Sequence, residues 1–291
     1  MFRSVTAHNN YTSMLCINLF RTIVILICIL TSLALLLASN VGMVGKNTAQ
    51  TSIFLLELNT KNLDVSQLYS GANGADLSQL GFAEAYIFGM YGYCRGTSVD
   101  SNTADTAAAW ENINFKAQQC TSSSISYAFD PVSFFVNEIN EHNTLGISIT
   151  STDITLPGGL STYVNISKAL SHVIVACSIA AICLLALAGL FQLFCWFIGA
   201  TAIISLLQTL AFISAAISTG AATGAYKYIE SQINDNVGDF GIRARLSKNY
   251  LVLAWLGTGI CLLTLLVMLI TRCCCFSRRR PAAPVAYERV L

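Results

Sequence analysis

The 291-residue sequence predicts an all-α membrane bundle of four transmembrane helices with a small antiparallel β-sheet in the first extracellular loop. Three observations carry this. Hydrophobic residues make up 54% of the chain and charged residues only 11%, against about 25% charged in soluble domains. Three segments lack Asp, Glu, Lys and Arg altogether: Thr22–Gly45 (24 residues), Ala169–Tyr226 (58 residues) and Tyr250–Thr271 (22 residues). One helical crossing takes about 20 residues, so the outer two are single spans and the middle one is a helical hairpin; a third crossing would leave no turns. Between the first two spans, Thr51–Leu58 and Ala85–Cys94 are rich in β-formers.

The expected order along the chain follows from the charges. A cytoplasmic N-terminus (1–21) leads to a first span (22–45). An extracellular loop with the sheet and a disulfide (46–168) precedes the second span (169–191) and the third (193–226). A second extracellular loop (227–249), a fourth span (250–271) and a cytoplasmic tail (272–291) complete it. Residues 39–167 hold eleven acids and four bases (Lys46, Lys61, Arg95, Lys116), a net of −7, whereas the tail from Arg272 holds five arginines and one glutamate, a net of +4. Basic residues near span ends stay cytoplasmic, which puts both termini inside and the long loop outside. Residues 1–21 carry Arg3 and Arg21 and no acid. A signal peptide cleaved near Ala38–Ser39 is the competing reading, but the apolar core exceeds the 7 to 15 residues usual there. The net charge of +1 gives no electrostatic case for nucleic acid; the partner that composition implies is the lipid bilayer.

Within the long loop, Thr51–Leu58 and Ala85–Cys94, the latter interrupted by Gly89 and Gly92, are expected to pair as antiparallel strands, the glycines bending the second. Thr97–Ala109 has the small, polar composition of a connector. Asp130–Pro131 opens a short helix, Asp130 as N-cap and Pro131 at the first helical position. Its apolar face is read as Val132, Phe135, Val136 and Ile139, lying on the sheet or on lipid headgroups. The helical hairpin is expected to turn near Gly189–Gln192. Beyond Gly220 and Gly224, the spacing of Tyr226, Ile229 and Ile233 implies a third span that projects out of the membrane.

Topology sorts the eleven cysteines. Cys28, Cys177, Cys183, Cys195 and Cys261 lie within spans, where Cys packs as a small apolar residue. Cys16 and Cys273, Cys274 and Cys275 are cytoplasmic or juxtamembrane. Only Cys94 and Cys120 face an oxidising compartment, where disulfides persist; the expectation is a bond between them, and the alternative is two unrelated free thiols. A metal site lacks ligands, since the nearby His142 is alone. His8, His142 and His172 are scattered, no Ser/His/Asp grouping exists, and the glycines follow no phosphate-binding pattern, so neither a catalytic residue nor a cofactor is expected. A transporter would place ionisable groups in its spans; these hold none of the four charged types, only Gln192, Gln208, Thr201, Ser205 and, near an end, His172. Gln208 is read as an interhelical hydrogen-bonding group, and Gly220-x-x-x-Gly224 and Gly257-x-Gly259 as places of close helix approach. Asn165-Ile-Ser167 matches the glycosylation triplet but abuts the second span, and Asn10-Tyr-Thr12 is cytoplasmic in this topology. Cys273 to Cys275 beside Arg278, Arg279 and Arg280 are candidates for acylation at an anionic leaflet, with a plain stop-transfer signal as the alternative. Tyr287-Glu-Arg-Val290 matches a tyrosine-based sorting signal.

Four spans, a long first outer loop, and Gly89-Met-Tyr-Gly92-Tyr-Cys94 with a later Cys120 resemble the claudin-like superfamily, whose signature is Gly-apolar-apolar-Gly-x-Cys. The tryptophan preceding that signature in animal claudins has no counterpart here. Ile53–Leu63 is similar to the Leu-x-Leu-x-Thr-Ser-Asn-type strand of the fungal Sur-seven/PalI family. Ser126-Tyr-Ala-Phe129-Asp130-Pro131 is similar to that family's aromatic-Asp/Asn-Pro segment after the second cysteine. The resemblance implies a multi-pass plasma-membrane protein of eisosome-associated patches, acting in membrane organisation, endocytosis and cell-wall integrity, as a homo- or hetero-oligomer with other patch proteins. The related Fig-one group, implicated in mating calcium influx and membrane fusion, is the alternative, followed by PalI-type pH signalling. PalI-type members carry a long cytoplasmic tail, and the roughly twenty residues after the last span here favour the Sur-seven type.

Overall fold

The structure is a computed structural model that describes residues 3–42, 51–64, 66, 76–98, 115–121, 127, 129–153, 160–194, 201–236 and 238–276. At 3–18, 98, 160–167, 201 and 272–276 it describes the backbone alone. Residues 99–109 of the expected connector, Cys195 and Tyr287–Val290 lie outside these residues, as do the side chains of Asn10, Cys16, Asn165 and Cys273 to Cys275.

Four long apolar helices form the bundle: α1 (Arg3–Val41), α3 (Leu160–Phe194), α4 (Thr201–Asn236) and α5 (Lys248–Phe276). The stretches long and apolar enough to cross a membrane are Leu19–Val41, Lys168–Phe194, Ala202–Asn236 and Lys248–Thr271. Helices suit a bilayer because each backbone N–H and C=O finds its partner within the segment. α1 packs on α3 and α5, and α4 on α3 and α5. Between them lie Ile29, Leu36, Ala181, Leu185, Ala211, Ala215 and Cys261, while leucines and isoleucines such as Leu206, Leu263 and Ile270 face outward. Cys28, Cys177, Cys183 and Cys261 are free thiols.

Two expectations about the bundle are corrected. Gly189–Gln192 is not the turn, because α3 runs unbroken to Phe194. Gly189 instead faces α1, where an added Cβ would stand 3.6 Å from Ile29 Cγ2. A glycine used for packing carries no turn signal. Of the four glycines expected at close approaches, only Gly257 makes one: a Cβ there would lie 3.1 Å from Leu36 Cδ2, whereas Gly220, Gly224 and Gly259 face open space.

The sheet has five antiparallel strands in the order β4-β3-β2-β1-β5. They are β1 (Leu56–Asn59), β2 (Ala85–Phe88), β3 (Tyr93–Ser98), β4 (Phe115–Cys120) and β5 (Arg243–Leu246). β1 is shorter than the β-prone run, as Thr51–Leu55 lies outside the strand. β2 and β3 are two strands of a hairpin rather than one bent strand, because Gly89 to Gly92 close a turn in which Gly89 N–H donates to the Gly92 carbonyl at 2.8 Å. β5 comes from the segment between α4 and α5, so the sheet is not confined to the segment between α1 and α3. It aligns on β1 with Glu57 opposite Arg245, where Arg245 Nη2 donates to Glu57 Oε2 at 2.7 Å. Asn234, near the end of α4, adds a second tie by bonding both the N–H and the carbonyl of Ala244.

Strand alternation divides the sheet. Leu56, Leu58, Tyr86 and Phe88 join a core that runs on into Ile174 and Val175 of α3, Ala222, Tyr226 and Ile233 of α4, and Tyr250 and Ala254 of α5. The outer domain and the span ends therefore share one hydrophobic core. Ala85, Ile87, Cys94, Phe54 and Phe115 form a smaller cluster on the other face.

Candidate functional site

The signature residues converge on the β2–β3 hairpin and the helix that covers it. Cys94 lies directly opposite Cys120 in the β3–β4 register, and a disulfide joins them. One residue further, the register slips between Arg95 and Gly96. A Cβ at Gly96 would run into the Lys116 carbonyl oxygen, so a side chain there would push the two bonded strands apart. The cysteines are thus neighbours before they bond, and the bond closes 26 residues of chain separation.

Helix α2 (Pro131–His142) begins where expected. Asp130 Oδ1 accepts from Ser133 N at 3.3 Å and Asp130 Oδ2 from the Ser133 hydroxyl at 2.9 Å, with Pro131 in the first turn. The cap also ties α2 to α3, since Lys168 Nζ lies 3.6 Å from Asp130 Oδ2. Phe129 packs edge-on against Phe88, ring centres 4.7 Å apart. The two signature blocks therefore meet: Phe88 precedes the glycine turn and Phe129 precedes the cap.

α2 lies on the sheet by a face that keeps Phe135 and Ile139 of the expected one but is rotated toward Phe134 and Glu138. Phe134, Phe135, Glu138 and Ile139 are its buried residues, while Val132 and Val136 are half-buried. The rotated face brings Phe134 against the rings of β2 and β3 and Glu138 against their polar groups. Phe134 packs edge-on against Tyr86 at 4.8 Å and against Tyr93 at 5.3 Å, and Phe82 meets Phe135 at 5.8 Å.

Glu138 is the residue that sequence reasoning missed. Its side chain is 2% exposed and 3.4 Å from Arg95 Nη1. The Tyr86 hydroxyl donates to Oε2 and the Tyr93 hydroxyl to Oε1, each at 2.8 Å. Tyr86 in turn accepts from the Ala83 N–H at 2.8 Å, and Arg95 Nη2 donates to the Gly81 carbonyl at 2.7 Å. Burial pushes the Glu138 carboxyl above the usual glutamate range, opposed by the Tyr93 and Tyr86 hydroxyls and by Arg95. Burial and then the Glu138 charge raise the Tyr86 and Tyr93 phenols far above their ordinary range. A carboxylate three residues after Phe135 and four after Phe134 was the available signal, obscured because Val132 and Val136 also fit a helical apolar stripe. The group pins one helix to two strands. Among the described residues, no three His, Cys, Asp or Glu side chains gather as a metal site.

In the bundle, Gln208 links α4 to α5 as expected, Nε2 lying 3.3 Å from the Cys261 carbonyl. Its Oε1 is buried without a partner among the described residues. Ser32 donates to the Gly257 carbonyl, Ser178 to Asn40 and Ser218 to the Ile174 carbonyl, each at 2.8 Å.

The chain is similar to Protein PUN1 of Saccharomyces cerevisiae (strain ATCC 204508 / S288c), with 24% identity over 241 residues, 82% of this chain and 86% of that protein. No solved structure matches. The model of the SUR7/PalI family matches residues 20–267, from the first span through the disulfide-bonded sheet to the last. With four membrane-length helices and that match over most of its length, this multi-pass membrane protein belongs to the SUR7/PalI family.

Proposed function

We propose that the chain is a plasma-membrane organiser of the eisosome-associated kind, acting in membrane compartment organisation, endocytosis and cell-wall integrity. Both termini lie in the cytoplasm, the spans and loops follow the order read from the charges, and the protein assembles with copies of itself or with other membrane-patch proteins. The family match over residues 20–267 carries this reading. The charge-free segments support it too: they offer hydroxyls and amides such as Ser32 and Gln208, not the ionised groups that mark substrate and proton paths. The reading assigns the protein no reaction and no cofactor.

Imaging a tagged copy in living yeast or hyphae tests the function. Stable cortical patches are expected. Enrichment only at mating tips would replace this reading with the Fig-one type of calcium and fusion regulator, and a defect confined to ambient-pH response would favour the PalI type. Orientation is tested separately: protease on intact cells should cut a tag inserted near Ser101 and spare tags at either end.

A further inference from the structure

The four long helices do not end at one level on the membrane side opposite the sheet. α1 and α3 run antiparallel and in step. Ser178 Oγ donates to Asn40 Oδ1 at 2.8 Å, Gly189 lies against Ile29, and eleven residues separate these two contacts on either helix. Carried five residues further, the same register sets Phe194, the last residue of α3, level with Val24. Arg21 is three residues beyond Val24, about 4.5 Å farther from the bilayer centre at a rise of about 1.5 Å per residue. α4 stops short in the same way. Among the described residues, its hydrogen bond to α5 nearest that end runs from Gln208 to the Cys261 carbonyl at 3.3 Å. Seven residues further, Thr201, the first residue of α4, comes level with Met268, four residues before Arg272. Ile25, Ile204 and Met268 share one core cluster, as that levelling requires. Beyond it, α1 continues back to Arg3 and α5 on to Phe276.

We propose that the end of the α3–α4 hairpin is seated within the membrane, with lipid of that leaflet as its partner, while α1 and α5 continue past the headgroup level. The rim there is apolar and open. Phe191, Leu193 and Phe194 on α3 and Ile203 and Leu206 on α4 are all exposed, Phe194 at 77%. No Asp, Glu, Lys or Arg occurs from Ala169 to Tyr226, so no charge draws the end of the hairpin out to water. Arg21 and Arg272 hold the neighbouring helices at the headgroups, and a water-soluble partner would have to pass that level to reach the rings. Depth is bounded on the other side too. The last four carbonyls of α3 and the first four N–H groups of α4 have no partner within their helices, and the hydrocarbon core offers them none. The layer that meets both limits is the boundary between headgroups and acyl chains.

The inference needs only the four-span bundle, not the orientation or the function proposed above. Two native thiols serve as probes: Cys16, five residues before Arg21, and Cys195, next after Phe194. Opened membrane vesicles carrying the full-length protein, with both faces accessible, are treated with a charged, impermeant maleimide, and the labelled peptides are mapped by mass. Cys16 should be labelled in the vesicles and Cys195 only after detergent replaces the bilayer. In parallel, a phospholipid with a photoactivatable diazirine on its upper acyl carbons should cross-link to the peptide holding Leu193 and Phe194. Labelling of Cys195 as readily as Cys16 overturns the proposal. So does a cross-link map that marks the lipid-exposed Ile270 of α5 and leaves the Leu193–Phe194 peptide unmarked.

Discussion

The bundle and the outer domain solve the problem of holding polar groups in opposite ways. In the bundle, the buried polar side chains are uncharged hydroxyls and amides that bond to backbone or to one another, as when Ser32 of α1 donates to the Gly257 carbonyl of α5 at 2.8 Å. Only Gln208 Oε1 is left over among the described residues. In the outer domain, a carboxylate is buried outright and surrounded by two phenols and a guanidinium. Apolar residues face apolar lipid as readily as each other, so the bundle's specificity comes from packing and a few hydrogen bonds. The outer domain has water to escape from and draws on burial, with a covalent closure added. Damage of equal chemical size should therefore register far more strongly outside the membrane than inside it.

The largest effect is expected at the disulfide. A chain-entropy estimate for a loop of this length gives roughly 3.5 kcal/mol, a large share of the 5–15 kcal/mol typical of a domain. Cys94→Ser, Cys120→Ser and the double variant should lose surface delivery and thermal stability about equally, as each removes the same bond. Additive losses would show that the two cysteines act independently.

Next comes the buried carboxylate's shell. Tyr86→Phe removes a donor to Glu138 and leaves the Ala83 N–H unanswered, whereas Tyr93→Phe removes one donor. Losses of about 1–3 kcal/mol are expected for the first and less for the second, from the general cost of an unsatisfied buried group. Denaturant midpoints of the purified protein check the order, and equal values would argue that the Ala83 bond contributes nothing.

The pH dependence follows from the direction of the Glu138 shift. Because its folded-state pKa is raised, mainly by burial, the folded form holds that proton more tightly than the unfolded chain does. The stability it contributes is complete below the ordinary glutamate value of about 4.3 and is lost as pH rises through the elevated folded value. Melting temperatures of wild type and Glu138→Gln, compared from acid to neutral pH, should diverge in slope, wild type falling more steeply. Parallel curves would mean that Glu138 titrates normally.

Within the bundle, Gln208→Met should change stability by no more than about 1 kcal/mol, since it gives up two long contacts, to the Cys261 carbonyl and sulfur at 3.3 Å each, and also removes an unanswered buried oxygen. A loss approaching that of the disulfide variants would break the contrast between the two regions. Smallest of all should be Gly220→Ala, which fills open space; Gly257→Ala, pressed against Leu36, should be visibly worse by the same thermal assay.

The sequence by itself determined what depends on one dimension of the chain. Charge-free length prescribes the spans, since bilayer thickness sets how many helical residues must be apolar. Asp130 and Pro131 announce the helix start because capping is a matter of adjacent residues. Cys94 and Cys120 could be matched because compartment sorts cysteines by the segment they occupy. Tertiary structure alone decided whatever needed two distant segments at once. Arg243–Leu246 is a strand because β1 presents a free edge to it, and nothing within RARL announces that. Gly189 lies inside α3 and faces Ile29 of α1, a pairing that no local pattern shows. Glu138 is buried because Tyr86, Tyr93 and Arg95, from two strands more than forty residues away in sequence, meet it there. A local pattern reports which faces are apolar; it does not report which polar groups the opposing surface will supply.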